Sequence, residues 1–154
     1  MAQHTVNRAC TFICGVLVIL FVAACGSSPS TSAPTGDQGN VTITKVVLQR
    51  DNGNGEAGDV VDKFHETDRS QFFDAETSSM LGPGSKVHWI FTAVDTTAGK
   101  DIKVVETDVN VLVGNHLTAH VSLPNNWPTG TYRADIYING NLVKSYSYTI
   151  DAAS

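Results

Sequence analysis

The residue with the most definite chemistry in this chain is Cys25. It ends an apolar segment over residues 9–24, and the small residues Ala23 and Ala24 stand directly before it. Small side chains at such a junction are what a signal peptidase reads. Cleavage between Ala24 and Cys25 would remove Cys10 and Cys14 with the leader, so that Cys25 is the only remaining thiol. One thiol cannot form an intramolecular disulfide, so a domain after Cys25 must be held together by its core alone.

The run Val22-Ala23-Ala24-Cys25 resembles the lipobox of bacterial lipoproteins, with Val22 in place of the commoner Leu. The resemblance implies that residues 1–24 are a cleaved signal helix and that Cys25 carries palmitate-type acyl chains. It also implies attachment to the extracytoplasmic face of the bacterial cell membrane, whether the inner membrane, the outer membrane or the cell surface. The apolar segment is shorter than the about 20 residues that a membrane-spanning helix needs. The alternatives are an ordinary signal peptide with a chance cysteine and an uncleaved helix.

Residues 25–40 are interpreted as the lipidated cysteine and a disordered tether. After Cys25 they contain no apolar side chain larger than Ala or Pro, and they read GSSPSTSAPTGDQGN. A flexible chain of this length reaches roughly 20–25 Å. The same composition leaves O-glycosylation of the tether open.

Charge excludes one class of partner. Ten Lys and Arg residues, of which Arg8 precedes Cys25, stand against fifteen Asp and Glu, and the formal net charge is −5. A scattered acidic balance does not favour nucleic acid or electrostatic docking on anionic lipid. We therefore expect no nucleic-acid partner, and a membrane attachment that depends on the covalent lipid.

The remainder, residues 41–154, predicts one all-β domain. Short runs of alternating polar and apolar residues are separated by Gly, Pro, Asn and Asp, and no window has a sustained helical period. The clearest strands are predicted at 41–49, 71–76, 86–94, 102–113, 116–123, 131–138 and 142–150, with a weak additional strand near 60–63. About seven antiparallel strands in such a length is the count of an immunoglobulin-like sandwich.

Strand alternation predicts which side chains form the core. The inward rows are Val87, Trp89, Phe91 and Ala93; Leu117, Ala119, Val121 and Leu123; and Tyr132, Ala134, Ile136 and Ile138. The outward rows are His116, Thr118, His120 and Ser122, and Thr131, Arg133, Asp135 and Tyr137. Asn139-Gly140 is predicted as a two-residue hairpin turn. Leu142, Tyr146, Tyr148 and Ile150 are expected to share one face of the last strand.

The segment from Trp127 to Gly140 resembles the last hairpin of bacterial immunoglobulin-like domains of the uncharacterised extracytoplasmic kind. It reads WPTGTYRADIYING. The resemblance implies that Tyr132 forms a tyrosine corner by hydrogen bonding to upstream backbone, and that Ala134 stands where antibody domains have their second cysteine. It also makes Trp89 the buried tryptophan of the third sandwich strand. The run Phe64-His65-Glu66-Thr67-Asp68 resembles a phrase of the same domains, with no role assigned.

Motifs for catalysis are absent from the sequence, and we expect no enzyme activity, no cofactor and no metal site. His116 and His120 share a strand face but stand about 13 Å apart, too far to bind one zinc ion together. The loop from Asp51 to Asp59 is rich in oxygen ligands, yet its glycines do not match an EF-hand, so loose calcium binding remains an alternative to a plain loop. Trp127 is expected to pack as a lid over the corner, the alternative being a stacking surface for a sugar or peptide.

The function predicted from these observations is a lipid-anchored extracytoplasmic immunoglobulin-like module that binds or interacts without catalysis. Its partner would be an unknown envelope protein or glycan, contacted through loops or an unpaired sheet edge. Two alternatives remain open: an accessory or structural subunit of a cell-envelope assembly, and a glycan-binding module.

Overall fold

The structure is a computed structural model that describes residues 40–111 and 113–153. The predicted signal peptide, the Ala24–Cys25 cleavage site and the tether before Asn40 lie outside these residues. None of the described residues belongs to a helix long and apolar enough to span a membrane. The strands in chain order are β1 (Ile43–Asp51), β2 (Ala57–Val61), β3 (Phe64–His65), β4 (Ser70–Leu81), β5 (Lys86–Thr96), β6 (Gly99–Asn110), β7 (Gly114–Ser122), β8 (Gly130–Ile138) and β9 (Asn141–Asp151).

The strands form two sheets that pack face to face. One sheet has the order β2-β1-β4-β7 and the other the order β3-β9-β8-β5-β6. Among the longer strands, β1, β4 and β7 share one sheet and β5, β8 and β9 the other, as strands A, B, E and C, F, G do in immunoglobulin-like sandwiches. The all-β prediction is confirmed, and the two-sheet arrangement is the one the sequence favoured.

The predicted count of seven antiparallel strands is wrong, because the described residues contain nine strands and one parallel pair. The weak strand expected near 60–63 is β2, which begins earlier, at Ala57. The turn after Asp51 folds the chain back along β1, and Gln49 pairs with Val60. β3 is only two residues long and pairs in parallel with the end of β9. A two-residue strand has no alternation for a sequence pattern to show.

Aromatic side chains dominate the core between the sheets. Phe73 lies at their centre, with ring centroids 4.9 Å from Phe91, 5.2 Å from Tyr148 and 5.8 Å from Phe64. Trp89 is fully buried and stacks on Phe91. The core is therefore built from both sheets, and the prediction of a buried Trp89 is confirmed.

The predicted inward rows are buried, except that Leu123 follows the end of β7 and is partly buried. One outward residue differs from its prediction. Asp135 was expected to be exposed but is 7% exposed, because Arg133 Nε (2.9 Å) and Ser145 Oγ (2.5 Å) donate hydrogen bonds to its carboxylate. Neighbouring side chains on the outer face thus cover a charge that the alternating pattern places in solvent.

Leu142 does not share the face of Tyr148 and Ile150, and that prediction is wrong. Leu142 is 53% exposed, whereas Val143 packs against the core. The ladder between β8 and β9 shifts here, since Ile136 pairs with Lys144 while the next residue, Tyr137, pairs with Leu142. Such a bulge adds one residue and reverses the side-chain parity before it.

The Asn139-Gly140 hairpin turn is confirmed. Both residues have left-handed backbone, with φ of 51° for Asn139 and 83° for Gly140, as a type I′ turn requires. Asn139 Oδ1 accepts a hydrogen bond from Lys86 N at 2.9 Å, and Asn139 N donates to Lys86 O at 2.8 Å. The turn is thereby fixed to the first residue of β5.

Candidate functional site

The predicted lipidation residue Cys25 and its neighbour Ala24 lie outside the described residues. Within the sandwich, the groups singled out from the sequence are Trp127, four histidines and the loop that begins at Asp51. The outer faces of the two sheets are the remaining candidate binding surfaces.

Tyr132 forms the expected corner. Its hydroxyl donates a 2.7 Å hydrogen bond to Pro128 O, which closes the loop that enters β8. Burial raises the pKa of Tyr132 to about 12, so that the hydroxyl remains a donor at any physiological pH. The corner is a structural element and presents no reactive group.

Trp127 packs over this corner and is 2% exposed. Its ring meets that of Tyr132 edge-on at 5.9 Å, and Nε1 donates to Arg69 O at 3.1 Å. The packing prediction is confirmed. A sugar or peptide has no access to the buried indole ring, so Trp127 does not provide the stacking surface of the alternative prediction.

The run from Phe64 to Asp68, which had no assigned role, ties the ends of several strands together. Phe64 is fully buried, and His65 N donates to Asp68 Oδ2 at 2.7 Å. Glu66 N donates to Asp151 O at 2.8 Å, while Glu66 O accepts from Trp127 N at 2.9 Å. This segment is therefore a joint between β3, the end of β9 and the corner.

Each histidine after Cys25 has its own local neighbour. His116 Nδ1 lies 3.0 Å from Asp74 Oδ2, and His88 Nδ1 lies 2.8 Å from Asp108 Oδ1. His120 stacks on Phe72, with ring centroids 4.5 Å apart, and His65 Nδ1 lies 3.4 Å from the backbone oxygen of Ala152. The part of the chain that the structure describes brings no three His, Cys, Asp or Glu side chains into a metal-binding group.

The oxygen-rich loop begins with a carboxylate that is engaged by its own backbone. Asp51 Oδ1 accepts hydrogen bonds from Gly53 N at 2.7 Å and Gly55 N at 3.0 Å. These amides, first that of Gly55 and then that of Gly53, lower the pKa of Asp51. Asn52 N also donates to Glu56 O at 3.0 Å. The loop is therefore a tight turn between β1 and β2. The carboxylate of Asp51, its first candidate calcium ligand, is directed at backbone amides of the turn.

The outer side of the four-stranded sheet carries a row of mixed polarity, with the apolar side chains of Val60 and Phe72 among polar ones, that the sequence did not single out. We call this surface the Phe72 face and define it by Gln49, Val60, Phe72, Asp74 and His120. Register places Val60, Gln49, Phe72 and His120 in one row across all four strands. Val60 is 68% exposed, and the Phe72 ring lies nearly parallel to that of His120, at 21°.

A signal for this face was present in the sequence. Phe72 and Phe73 are adjacent in a strand, and neighbouring side chains point to opposite faces. One of the two rings must therefore leave the core. Phe73 is 1% exposed, and Phe72 is the ring that faces out.

Polar groups border the Phe72 face. Asp74, a member of the face, contacts His116 at one side, and Lys45 pairs with Glu76 in the row beyond Asp74. No described Ser, Thr or Cys side chain is hydrogen-bonded to His116 or His120, so the described residues of this face hold no nucleophile–base pair. A surface that mixes apolar and polar side chains is the usual composition of a protein-binding surface.

A shallow cavity of about 380 Å³ lies at the end of the sandwich where the chain enters β1. Its lining includes Asn40, Asn139, Asn141, Ile138 and Leu142, and no aromatic side chain is among its described residues. Glycan sites generally present an aromatic ring for the sugar to stack on. This cavity therefore does not favour the glycan-binding alternative.

No protein-family model and no curated protein matches the chain. Among solved structures, an immunoglobulin-like protein from Pseudomonas aeruginosa is similar over 75% of this chain and 99% of its own, at 11% identity and a TM-score of 0.48. An alkylpurine DNA glycosylase from Pseudomonas fluorescens, bound to DNA with an abasic site analog, is similar over 73% of this chain and 31% of its own, at 13% identity and a TM-score of 0.42. Likeness at this level says nothing about what this chain binds.

Proposed function

We propose that this chain is a lipid-anchored extracytoplasmic immunoglobulin-like module that binds a protein of the cell envelope and catalyses no reaction. The observation that carries the binding role is the Phe72 face. Its row of Val60, Gln49, Phe72 and His120 places the exposed Val60 and the partly exposed Phe72 among polar side chains on the outer side of a regular sheet. Preformed surfaces of this kind bind with little loss of conformational entropy.

The anchor in this proposal rests on the lipobox-like run that ends at Cys25 and on the chain's charge. A net charge of −5 gives no electrostatic attraction to anionic lipid. Acyl chains on Cys25 would supply the attachment, because each buried methylene contributes about 0.8 kcal/mol.

The absence of catalysis in this proposal is supported by the chemistry of the strongest side-chain clusters. The buried aromatic groups around Tyr132 and Trp127 hold loops in place. The His116–Asp74 pair lies on an open sheet face, where water competes for every polar contact. Catalytic groups act more strongly in water-excluded sites.

The anchor is tested by replacing Cys25 with Ala and partitioning the full-length protein between detergent and aqueous phases. Wild-type protein is expected in the detergent phase, and Cys25→Ala in the aqueous phase. Mature-size Cys25→Ala protein that stays in the detergent phase would show that lipidation at this residue is wrong.

The binding role is tested by affinity capture from detergent-solubilised envelope with two matched variants. Val60→Glu places a charge in the Phe72 face, whereas Leu142→Glu places one at another exposed site, on the other sheet. Val60 is 68% exposed and Leu142 53%, so neither change should unfold the domain. We expect a protein that wild type and Leu142→Glu enrich and Val60→Glu does not. Retention on purified glycan without an enriched protein would instead favour the glycan module, and equal enrichment by all three would exclude the Phe72 face.

A further inference from the structure

The four-stranded sheet has an open edge at β7. On one side β7 pairs with β4, and on the other side no described strand lies beside it. An edge strand presents a row of unpaired N–H and C=O groups to any extended chain that can complete the ladder.

The backbone groups that face this open side can be identified. Leu123 N donates to Arg69 O at 3.1 Å, and Asn115 O accepts from Thr77 Oγ1 at 3.1 Å. Odd-numbered residues of this strand therefore direct their backbone groups toward β4. Because direction alternates along an antiparallel ladder, His116, Thr118 and His120 direct theirs to the open side.

The other sheet edges carry features that discourage strand addition. β6 has a shifted register near Lys103, a left-handed residue at Asp101 and a further lysine at Lys100. β9 is bulged beside Leu142, and its last two residues are covered by β3. β2 is only five residues long. Bulges, lysines and short length are the means by which natural sheets protect edges.

β7 has none of these features between His116 and Ser122, since the register shift of its ladder with β4 lies outside that stretch, between Glu76 and Leu81. It is nine residues long, and its ladder with β4 is regular from Ser122, opposite Ser70, to His116, opposite Glu76. It contains no Pro, Lys, Arg, Asp or Glu. Two copies of β7 can therefore approach each other without a blocking Pro and without opposing Lys, Arg, Asp or Glu side chains.

The outward residues of β7 are also symmetric about Thr118, since His116 and His120 flank it at equal distance and the small residues Gly114 and Ser122 follow at the ends. We propose that β7 pairs antiparallel with β7 of a second copy of this chain, about a two-fold axis at Thr118. Thr118 then faces Thr118 of the other copy, and His116 faces His120 in both directions. About six backbone hydrogen bonds form among these residues. Opposed Thr pairs are favourable on a sheet surface.

Self-pairing would join the two four-stranded sheets into one, with both Phe72 faces on the same side. Self-pairing would therefore double the surface that the proposed function uses for binding. Only this consequence rests on the proposed function. The pairing itself needs neither the lipid on Cys25 nor an envelope partner.

The register is tested by oxidative cross-linking in the full chain with Cys10, Cys14 and Cys25 replaced by Ser, so that one introduced thiol is present. Thr118→Cys should form a disulfide-linked dimer, because opposed residues lie about 5.5 Å apart. His116→Cys alone should not, since the two thiols would be about 13 Å apart. A mixture of His116→Cys and His120→Cys should cross-link. Equal cross-linking by Thr118→Cys and His116→Cys alone, or none by Thr118→Cys, would overturn the proposal.

The backbone contact is tested by sedimentation equilibrium of Thr118→Pro and of its control, Thr118→Val. Thr118 N–H points to the open side, so proline there removes no bond to β4 and is tolerated at such an edge position. Wild type and Thr118→Val should be dimeric, and Thr118→Pro monomeric with its β-sheet circular dichroism retained. Dimeric Thr118→Pro or monomeric wild type would overturn self-pairing, whatever the envelope capture gives. If Thr118→Pro fails to fold, the cross-linking result decides.

Discussion

Tyr132 and Tyr148 stack in the core with ring centroids 5.5 Å apart, but only Tyr132 has a partner for its hydroxyl. Tyr132 donates to Pro128 O at 2.7 Å, whereas the buried hydroxyl of Tyr148 contacts no hydrogen-bonding atom among the described residues. Burial raises the pKa of both side chains. Two neighbouring phenols thus have opposite energetic roles, since one closes a loop and the other leaves a polar group unsatisfied.

Replacing each tyrosine with Phe should separate these roles. Tyr132→Phe should lower the free energy of unfolding by about 0.5–1.5 kcal/mol, the net contribution of one hydrogen bond. Tyr148→Phe should leave it unchanged or raise it, because the variant removes a buried hydroxyl without a partner. Urea unfolding followed by tryptophan fluorescence measures both values. Equal losses in the two variants would contradict the assignment of the corner.

Gly130 should be irreplaceable at the start of β8. Its φ is 142°, and a Cβ there would lie 2.2 Å from Asp95 O. Gly130→Ala is therefore expected to cost more than about 3 kcal/mol of unfolding free energy, since backbone would have to move. Gly140→Ala is the control: Gly140 has φ of 83° and open space around it, so the expected cost is about 1–2 kcal/mol. A Gly130→Ala protein as stable as Gly140→Ala would contradict the close approach of these strands.

The β1–β2 turn should respond to acid through Asp51. Its pKa lies below the ordinary value of 3.8, because the amides of Gly55 and Gly53 donate to the carboxylate. A depressed pKa in the folded state means that this stabilisation is present above pH 3.8 and is lost as the pH falls through the folded value. The amide proton shifts of Gly53 and Gly55 should therefore titrate with a midpoint below 3.8, and Asp51→Asn should abolish the transition. A midpoint above 3.8 would show that these amides do not bind the carboxylate.

Gln71 should be a site where an apolar substitution stabilises the domain. It is fully buried in β4, and neither amide atom of its side chain has a hydrogen-bonding partner among the described residues. Gln71→Met keeps the length of the side chain and removes the unsatisfied groups, and should raise the free energy of unfolding by about 1–2 kcal/mol. Gln49→Met, on the outer side of β1, is the contrast: Gln49 Nε2 donates to Gly58 O at 3.3 Å, so this variant should lower the free energy of unfolding by about 0.5–1.5 kcal/mol. Destabilisation by Gln71→Met would mean that the amide is satisfied inside the core.

Much of the local structure followed from residue types alone. Alternation identified the long strands and the burial of Trp89, because successive side chains of a strand point to opposite faces. The Asn139-Gly140 turn and the Tyr132 corner also followed, since each depends on a few neighbouring residues. Errors arose where one extra residue reverses parity, as before Lys144 in β9, or where neighbours on the outer face cover a charge, as at Asp135.

The sequence by itself determined that the domain after residue 40 is all-β, which side chains of its clearest strands are buried, and, by its likeness to a lipobox, the prediction for Cys25. Only the tertiary structure decided which strands are neighbours. That choice brings Val60, Gln49, Phe72 and His120 into one row and leaves β7 at an edge. The physical reason is that side-chain alternation shows which face of the sheet each residue occupies. It does not show which strands lie along the two hydrogen-bonding edges. Hydrogen-bonding partners come from segments far apart in the chain, and every strand offers the same backbone groups to them.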